Sequence, residues 1–186
     1  HCLRASCAPR FGPKPKLFLK VNRKKTEVAH ISTVKYLGYS FYRHKGKCRF
    51  RVHPKSVAKM KNRIRELTDR NKGISNEVRE KKYQEYVRGW VEYFRLADMK
   101  KLLQKTDEWA RRRIRAVYWK QWKKIKTKCR MLKALGLEDW KAKELANSRK
   151  GYWRMAKVLN QIFSNKIIAK LGYISMLDYY LVVYEN

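Results

Sequence analysis

The spacing of the apolar residues changes at Pro54, and this change limits the possible folds more than any other feature of the sequence. Before Pro54, apolar and polar residues alternate over 36–42 and 48–52, and the segment H-K-G-K at 44–47 places a glycine between the two runs. After it, apolar residues recur every three or four positions. Alternation is typical of a strand with one buried face, and the longer spacing is typical of a helix. The sequence therefore predicts a β-hairpin followed by helices.

Three long helices are predicted after the hairpin. The first begins at Pro54, a residue suited to the first turn of a helix, and ends before the N-K-G segment at 71–73. The second spans about 76–97, with Ser75 or Asn76 as its N-cap. The third spans about 100–126, and its apolar stripe continues to Ile125.

Shorter helices are predicted near 127–135, 138–147, 152–164 and 175–183, separated by glycines. The expected fold class is mainly α: a three-helix bundle with smaller C-terminal helices, preceded by a short β-hairpin. Four large side chains are predicted to lie in the bundle core: Trp90, Phe94, Trp109 and Ile114. Gly89, which is unfavourable inside a helix, suggests the close approach of a neighbouring helix.

The net charge predicts a polyanionic partner. Forty-eight basic residues stand against 15 acidic ones, which gives a formal charge of +33, while 44% hydrophobic residues are enough for a folded core. No apolar run is long enough to span a bilayer, and the apolar helix faces are needed to pack the helices on each other. We therefore expect RNA or DNA, and no membrane, as the partner.

Few residues in the sequence are suited to catalysis. The four cysteines form no C-x-x-C pair, no phosphate-binding glycine loop is present, and the aspartates are too scattered to predict a two-metal site. The adjacent acids Glu138 and Asp139 are expected at a helix N-terminus, where negative charge is favoured. The chain alone is therefore not predicted to be an enzyme, and no metal or cofactor is expected to bind it.

The basic residues are placed on the faces that the apolar stripes leave free. Residues 111–133 contain no acid at all, whereas an ordinary solvated face mixes both signs of charge. This pattern favours a phosphate-binding surface. The candidate nucleic-acid contacts are Lys59, Arg63, Arg88, Arg95, Arg111, Arg112, Arg115, Lys120, Lys123, Lys124 and Arg130.

Three blocks of the chain resemble the maturase-specific domain of the reverse transcriptase–maturases encoded by bacterial group II introns. They are SVAKMKNRIRELTDRNKG, YVRGWVEYFRLAD and WARRRIRAVYWKQWK, and the second carries the G-W-x-x-Y-F element of that family. The earlier LKVNRKKTEV and KYLGYSFY are similar to the end of the polymerase palm. The later GLEDWKAKELANSRKGYWRMA and LNQIFSNKIIAKLGYISMLDYY resemble the ending of members that lack an endonuclease domain.

The resemblance implies a C-terminal fragment with four parts: an unrelated or disordered lead-in at 1–16, a palm remnant at 17–53, the thumb at 54–126 and a helical extension at 127–186. The Y-A-D-D element of the polymerase site is absent from the sequence, so the chain is not expected to copy RNA alone. Lys25 would lie near nucleotide and template, and Leu37 and Gly38 would belong to the hairpin that supports the primer end.

In that family the basic thumb faces would hold intron RNA, or an RNA/DNA template–primer duplex, and so support RNA splicing and intron mobility. Magnesium would be required only by the intact polymerase and by the intron RNA. The expected location is the bacterial cytoplasm, and a separate N-terminal polymerase portion would be a partner if the protein is split. Two alternatives stay open: an inactive or complementing fragment of an RNA-directed DNA polymerase, and a general basic nucleic-acid-binding protein.

Overall fold

The computed structural model describes residues 29–31 and 33–185, and the structural statements that follow refer to these residues. A small antiparallel sheet comes first, with the strand order β1-β2-β3. Eight helices follow it in the described part of the chain. The predicted mainly helical class, with β structure ahead of the helices, is confirmed.

The predicted hairpin corresponds to β2 (Tyr39–His44) and β3 (Lys47–Val52). Lys45 and Gly46 connect them, with φ values of 47° and 75°, which are typical of the two-residue turn that matches the twist of a hairpin. A shorter strand, β1 (Lys35–Tyr36), pairs with β2 through a second turn of the same length. The sheet therefore has one strand more than the alternating pattern predicted.

The sheet is attached to the helices through its β1–β2 turn and through Tyr39. The Tyr93 hydroxyl donates to the Leu37 carbonyl oxygen at 2.9 Å, and the His53 amide donates to the Gly38 carbonyl oxygen at 2.9 Å. The Tyr39 ring lies 5.1 Å from the Phe94 ring between centroids. The apolar face of the sheet is therefore partly covered by the helical domain.

Three long helices form the bundle: α1 (Pro54–Leu67), α2 (Asn76–Tyr93) and α3 (Lys100–Gln121). The predicted cap of α2 is confirmed, since the Ser75 hydroxyl accepts from the Val78 amide at 3.3 Å. The cap of α1 was not predicted: His53 Nδ1 accepts from the Lys55 amide at 3.1 Å.

The third helix is shorter than its apolar stripe predicted. It ends at Gln121 because Trp122 leaves helical geometry, with φ −77° and ψ 64°. In this conformation the Trp122 ring is buried, 5.9 Å from the ring of Trp119 and 6.4 Å from that of Phe163. The prediction that Ile125 continues the stripe is wrong, because Ile125 begins the next helix and is 50% exposed.

Five shorter helices complete the described chain: α4 (Ile125–Ala134), α5 (Asp139–Ala146), α6 (Tyr152–Ile162), α7 (Asn165–Lys170) and α8 (Met176–Glu185). Four of them were predicted. The fifth, α7, has only six residues, too few for a helical period to be visible in the sequence. Glu138 and Asp139 begin α5, as predicted, and Asp139 forms ion pairs with Lys133 and Lys143.

One apolar core extends from Val52 to Tyr180. Helices α6 and α8 pack on α3, and α8 also packs on α2. The last helix is fixed by the buried carboxylate of Asp107 in α3, which accepts from the Met176 and Leu177 amides at 2.9 Å and from the Ser175 hydroxyl at 2.8 Å. The division between 54–126 and 127–186 stays a prediction about domain organisation, and the core itself crosses it.

Candidate nucleic-acid interface

The described part of the chain neutralises little of its own positive charge. Its four ion pairs use only three acids, namely Glu66, Asp98 and Asp139. Two further acids act inside the fold: Asp107 caps α8, and Glu80 accepts from the Tyr118 hydroxyl at 2.7 Å. With 48 basic and 15 acidic residues in the sequence, most of the positive field is left to face solvent or a bound polyanion.

The acid-free segment is exposed around the start of α4. We call Lys123, Lys124, Lys126 and Arg130 the α4 basic surface, since all four are exposed and Lys126 and Arg130 are one helical turn apart. Helix α4 has no side-chain cap and no acid in its first turn. Cations at the start of a helix are disfavoured by its dipole, and bound phosphates would relieve this repulsion. Within the described residues none of the four side chains forms an ion pair.

Four other predicted contacts lie on α1, on α2 and in the turn that follows α2. Lys59, Arg88 and Arg95 are exposed and form no ion pair with a described acid. Arg63 is exposed but pairs with Glu66 at 2.7 Å, one helical turn away. These four residues lie on other elements than α4 and are not part of the α4 basic surface.

The arginine run of α3 has mainly internal partners. Arg112 donates two hydrogen bonds to the Trp153 carbonyl oxygen, at 3.0 and 3.2 Å. Arg113, which was not predicted, donates to the Thr68 hydroxyl at 2.7 Å and so joins α3 to α1. Arg111 is half-buried beside a cavity between α3 and α6, and Lys120 donates to the Asn71 side chain.

Arg115 requires a correction. Its position off the apolar stripe predicted an exposed cation, but only 3% of the residue is exposed. The guanidinium donates to the Phe163 carbonyl oxygen at 2.8 Å and to the Asn165 side-chain oxygen at 2.7 Å, where α6 ends and α7 begins. Burial lowers the pKa of Arg115 to about 10, so the group is still charged at neutral pH. Arg115 therefore joins helices and is not available to a phosphate.

The two residues likened to a primer-supporting hairpin form the β1–β2 turn. Leu37 is exposed, and Leu37 and Gly38 have positive φ values of 47° and 82°. A Cβ atom on Gly38 would lie 3.0 Å from Ser56 Oγ and 3.1 Å from the Phe94 ring, so this turn fits closely against α1 and α2. Lys25 and the predicted lead-in at 1–16 lie outside the described residues.

The large side chains expected in the core lie there to different extents. Trp90, Phe94 and Ile114 are buried, and the Trp90 and Phe94 rings are 4.8 Å apart between centroids. Trp109 is half-buried, with the guanidinium groups of Arg65 and Arg113 at 5.5 and 5.4 Å from its ring centre.

The inference about Gly89 is wrong. Among residues 29–31 and 33–185 no helix approaches it: the residue is exposed, and an added Cβ atom would meet none of their atoms within 4 Å.

Two features of the structure were missed in the sequence. Arg79 is almost fully buried in α2, and its place four residues before Tyr83 on the same helical face could have indicated this. The segment 149–154 carries two exposed aromatic rings among basic residues. The sequence pattern that could have indicated it is K-G-Y-W-R, in which two aromatic residues lie between basic ones. This pattern falls within 145–177, a second stretch of the sequence without any acid.

The described residues offer no group of three or more His, Cys, Asp or Glu side chains able to hold a metal ion. Nor does any helix in this part of the chain have the length and apolar character needed to cross a membrane. The geometry thus consists of an exposed basic surface on a helical scaffold.

Comparison with known proteins gives one family. Residues 57–136 match the family described as group II intron, maturase-specific domain. The matched region contains nearly all of α1, all of α2 to α4, and Gly136, which follows α4 with a φ of 90°. No curated protein matches the chain.

Proposed function

Because residues 57–136 match the maturase-specific domain of group II introns, we propose that this chain is a group II intron maturase fragment that binds the folded intron RNA through its basic helical faces. The matched domain supports a maturase-type role and is not the catalytic polymerase part of the family. Bound RNA would be held in its splicing-competent fold, while the RNA itself supplies the splicing chemistry. The observation that carries the proposal is the family match together with the α4 basic surface, whose side chains form no ion pair with a described acid.

The contribution of the protein is electrostatic and geometric. Exposed lysines and arginines that neutralise phosphates release counterions, and this release drives association without reading sequence. Selectivity for a folded intron then depends on how a rigid array of cations fits the RNA backbone. The shared core of α1 to α8 supplies that rigidity.

The first test is binding to a group II intron RNA and to a random RNA of equal length, across a salt series. We expect tighter binding to the intron RNA at every salt concentration. Equal affinity for both RNAs would refute the maturase role and leave a general basic nucleic-acid-binding protein.

A matched pair of variants tests the proposed surface. Replacing Lys123 and Lys124 by Gln should lower the slope of log K against log salt by about 1.5, because each lost phosphate contact removes about 0.7 to 0.9. The control replaces Lys81 and Lys82, an adjacent exposed pair on α2, where the exposed acids Glu77 and Glu85 give a mixed-sign face. Equal slopes for both variants would show that the charge acts only as a diffuse field.

A second candidate function is favoured by the position of the β1–β2 turn. Hydrogen bonds from Tyr93, His53 and Ser56 fix this turn against α1 and α2. A complementing fragment of an RNA-directed DNA polymerase would need such a fixed turn beside its primer. In a primer-extension assay we expect no product from the chain alone, and magnesium-dependent product only with a separate polymerase portion. Extension by the chain alone would overturn the proposal that it is not an enzyme.

A further inference from the structure

The second basic surface lies where the loop after α5 meets α1 and α3. We call it the Trp153 surface and define it as Arg70, Arg112, Arg149, Lys150, Tyr152, Trp153 and Arg154. Two neighbouring cavities, of about 280 and 760 Å³, share Arg70 and Trp153 in their walls. Both openings therefore belong to one continuous concave surface, which is large enough for a nucleotide.

Two aromatic side chains are exposed on this surface. Tyr152 and Trp153, the first two residues of α6, are 41% and 42% exposed, whereas Trp90, Trp119 and Trp122 are buried in the core. Exposed rings of this size lose the apolar contacts that the core would give them. Side by side at the edge of a cavity, they present flat apolar area to a ligand.

The Trp153 ring is held before any ligand arrives. The Arg112 guanidinium lies 4.0 Å from the ring centre and also donates both of its hydrogen bonds to the Trp153 carbonyl oxygen. The Arg70 guanidinium likewise packs on a ring, 5.0 Å from the centre of the Tyr152 ring. Because the rings are already oriented, little side-chain entropy is lost when a flat group stacks on them.

The charge around the rings is almost entirely positive. Residues 145–177 contain no acid, and Arg149, Lys150 and Arg154 are exposed and form no ion pair with a described acid. Of the described residues, Asp69 is the one carboxylate in the walls of the two cavities. The surface therefore combines stacking area with phosphate-binding cations.

We propose that the Trp153 surface binds unpaired nucleotides of RNA, with a base stacked on Trp153 and the neighbouring phosphates held by Arg149, Lys150 and Arg154. A duplex offers only phosphates and sugars to such a surface because its bases are stacked on each other, whereas an unpaired strand can place a base on an aromatic ring. The inference rests on the proposed RNA-binding function and adds the kind of RNA segment that this second surface takes.

The test compares two tryptophan variants of the full chain. Labelled 12-nucleotide oligouridylate, a 12-base-pair RNA duplex and an abasic strand of the same length are titrated by fluorescence anisotropy. Trp153→Ala should weaken oligouridylate binding about tenfold or more, and duplex and abasic-strand binding less than twofold. The control, Trp140→Ala, removes an exposed tryptophan of α5 whose Nε1 donates to Glu138 at 2.7 Å, and it should change each affinity less than twofold.

Equal loss on duplex and single strand would overturn the stacking role and leave a phosphate-binding surface only. No loss in Trp153→Ala would overturn the inference altogether. If Trp153→Ala lowers the melting temperature, Trp153→Phe keeps a stacking ring, and it should then retain most of the oligouridylate affinity. The preference for intron RNA over random RNA is measured separately. If the chain prefers intron RNA but Trp153→Ala does not weaken oligouridylate binding, only this inference is refuted. If Trp153→Ala weakens oligouridylate binding but the chain does not prefer intron RNA, only the maturase role is refuted.

Discussion

Replacing Asp107 by Ala should destabilise the whole fold, because this one carboxylate joins α3 to the start of α8. It accepts three hydrogen bonds, from the Ser175 hydroxyl and from the Met176 and Leu177 amides. Burial raises the pKa of the Asp107 carboxyl, while those three donors act in the opposite direction. Without the carboxylate, the Met176 and Leu177 amides lose the acceptor that they have in the described structure.

The size of the effect follows from the burial of each donor. Loss of an ordinary N-cap costs about 1 kcal/mol. The Met176 amide belongs to a fully buried residue, and an unsatisfied buried donor costs about 1 to 3 kcal/mol. Leu177 is half-buried, so water can replace part of its lost bond. We therefore expect a loss of about 3 kcal/mol for Asp107→Ala, and about half of that for Asp107→Asn, which keeps one acceptor oxygen.

Urea unfolding followed by circular dichroism at 222 nm measures this loss. With a slope of about 2 kcal/mol per molar urea, the midpoint of Asp107→Ala should fall by about 1.5 M. The matched control is Asp178→Ala, which removes an exposed carboxylate from the first turn of the same helix and should cost about 0.5 kcal/mol or less. If Asp107→Ala costs no more than Asp178→Ala, then α8 does not depend on the carboxylate and the reasoning fails.

Two further predictions concern Arg115 and His53. Arg115→Ala should lower the free energy of unfolding by about 3 kcal/mol, because the Phe163 and Asn165 acceptors lose their buried donor. The exposed control Arg130→Ala should change the free energy of unfolding by about 0.5 kcal/mol or less. If Arg115→Ala stays folded and stable but has a reduced salt slope of RNA binding, Arg115 contacts phosphate after all. The pKa of His53 is lowered by partial desolvation and, to a lesser extent, by the charges of Lys35, Lys55 and Arg51. Neutral His53 caps α1 by accepting a hydrogen bond from the Lys55 amide. This stabilising effect is therefore present above pH 6.5 and is lost as the pH falls below that value. The melting temperature should therefore fall more between pH 7.5 and 5.5 in the native chain than in His53→Asn, and an equal fall in both would contradict this assignment.

Local patterns in the sequence were enough to predict most of the secondary structure. The hairpin was visible because a glycine turn separates two alternating runs, and Lys45-Gly46 adopts the positive φ values that such a turn needs. The start of α1 and the cap of α2 followed from Pro54 and Ser75 in the same way. These features depend on residues within a few positions of one another, so no tertiary information was required.

The errors arose where distant residues decide the structure. The end of α3 depends on Trp122 turning towards Phe163, some forty residues later in the chain. The exposure of Gly89 likewise depends on which helices pack nearby, and a single sequence does not reveal this.

The resemblance to the maturase-specific domain and the strongly basic character of the chain were evident from the sequence, because motif order and the sign of charge are properties of the chain itself. Which cations reach solvent was decided by the tertiary structure. Arg115 lies among the same basic residues as Arg111 and Arg112, yet it is buried because α6 and α7 place a carbonyl and an amide oxygen beside it. Trp153 lies on a basic surface because Arg112 of α3 packs on its ring and Arg70, beyond α1, lines the same cavity. Helical periodicity identifies the face of one helix, but burial depends on the partner that covers it.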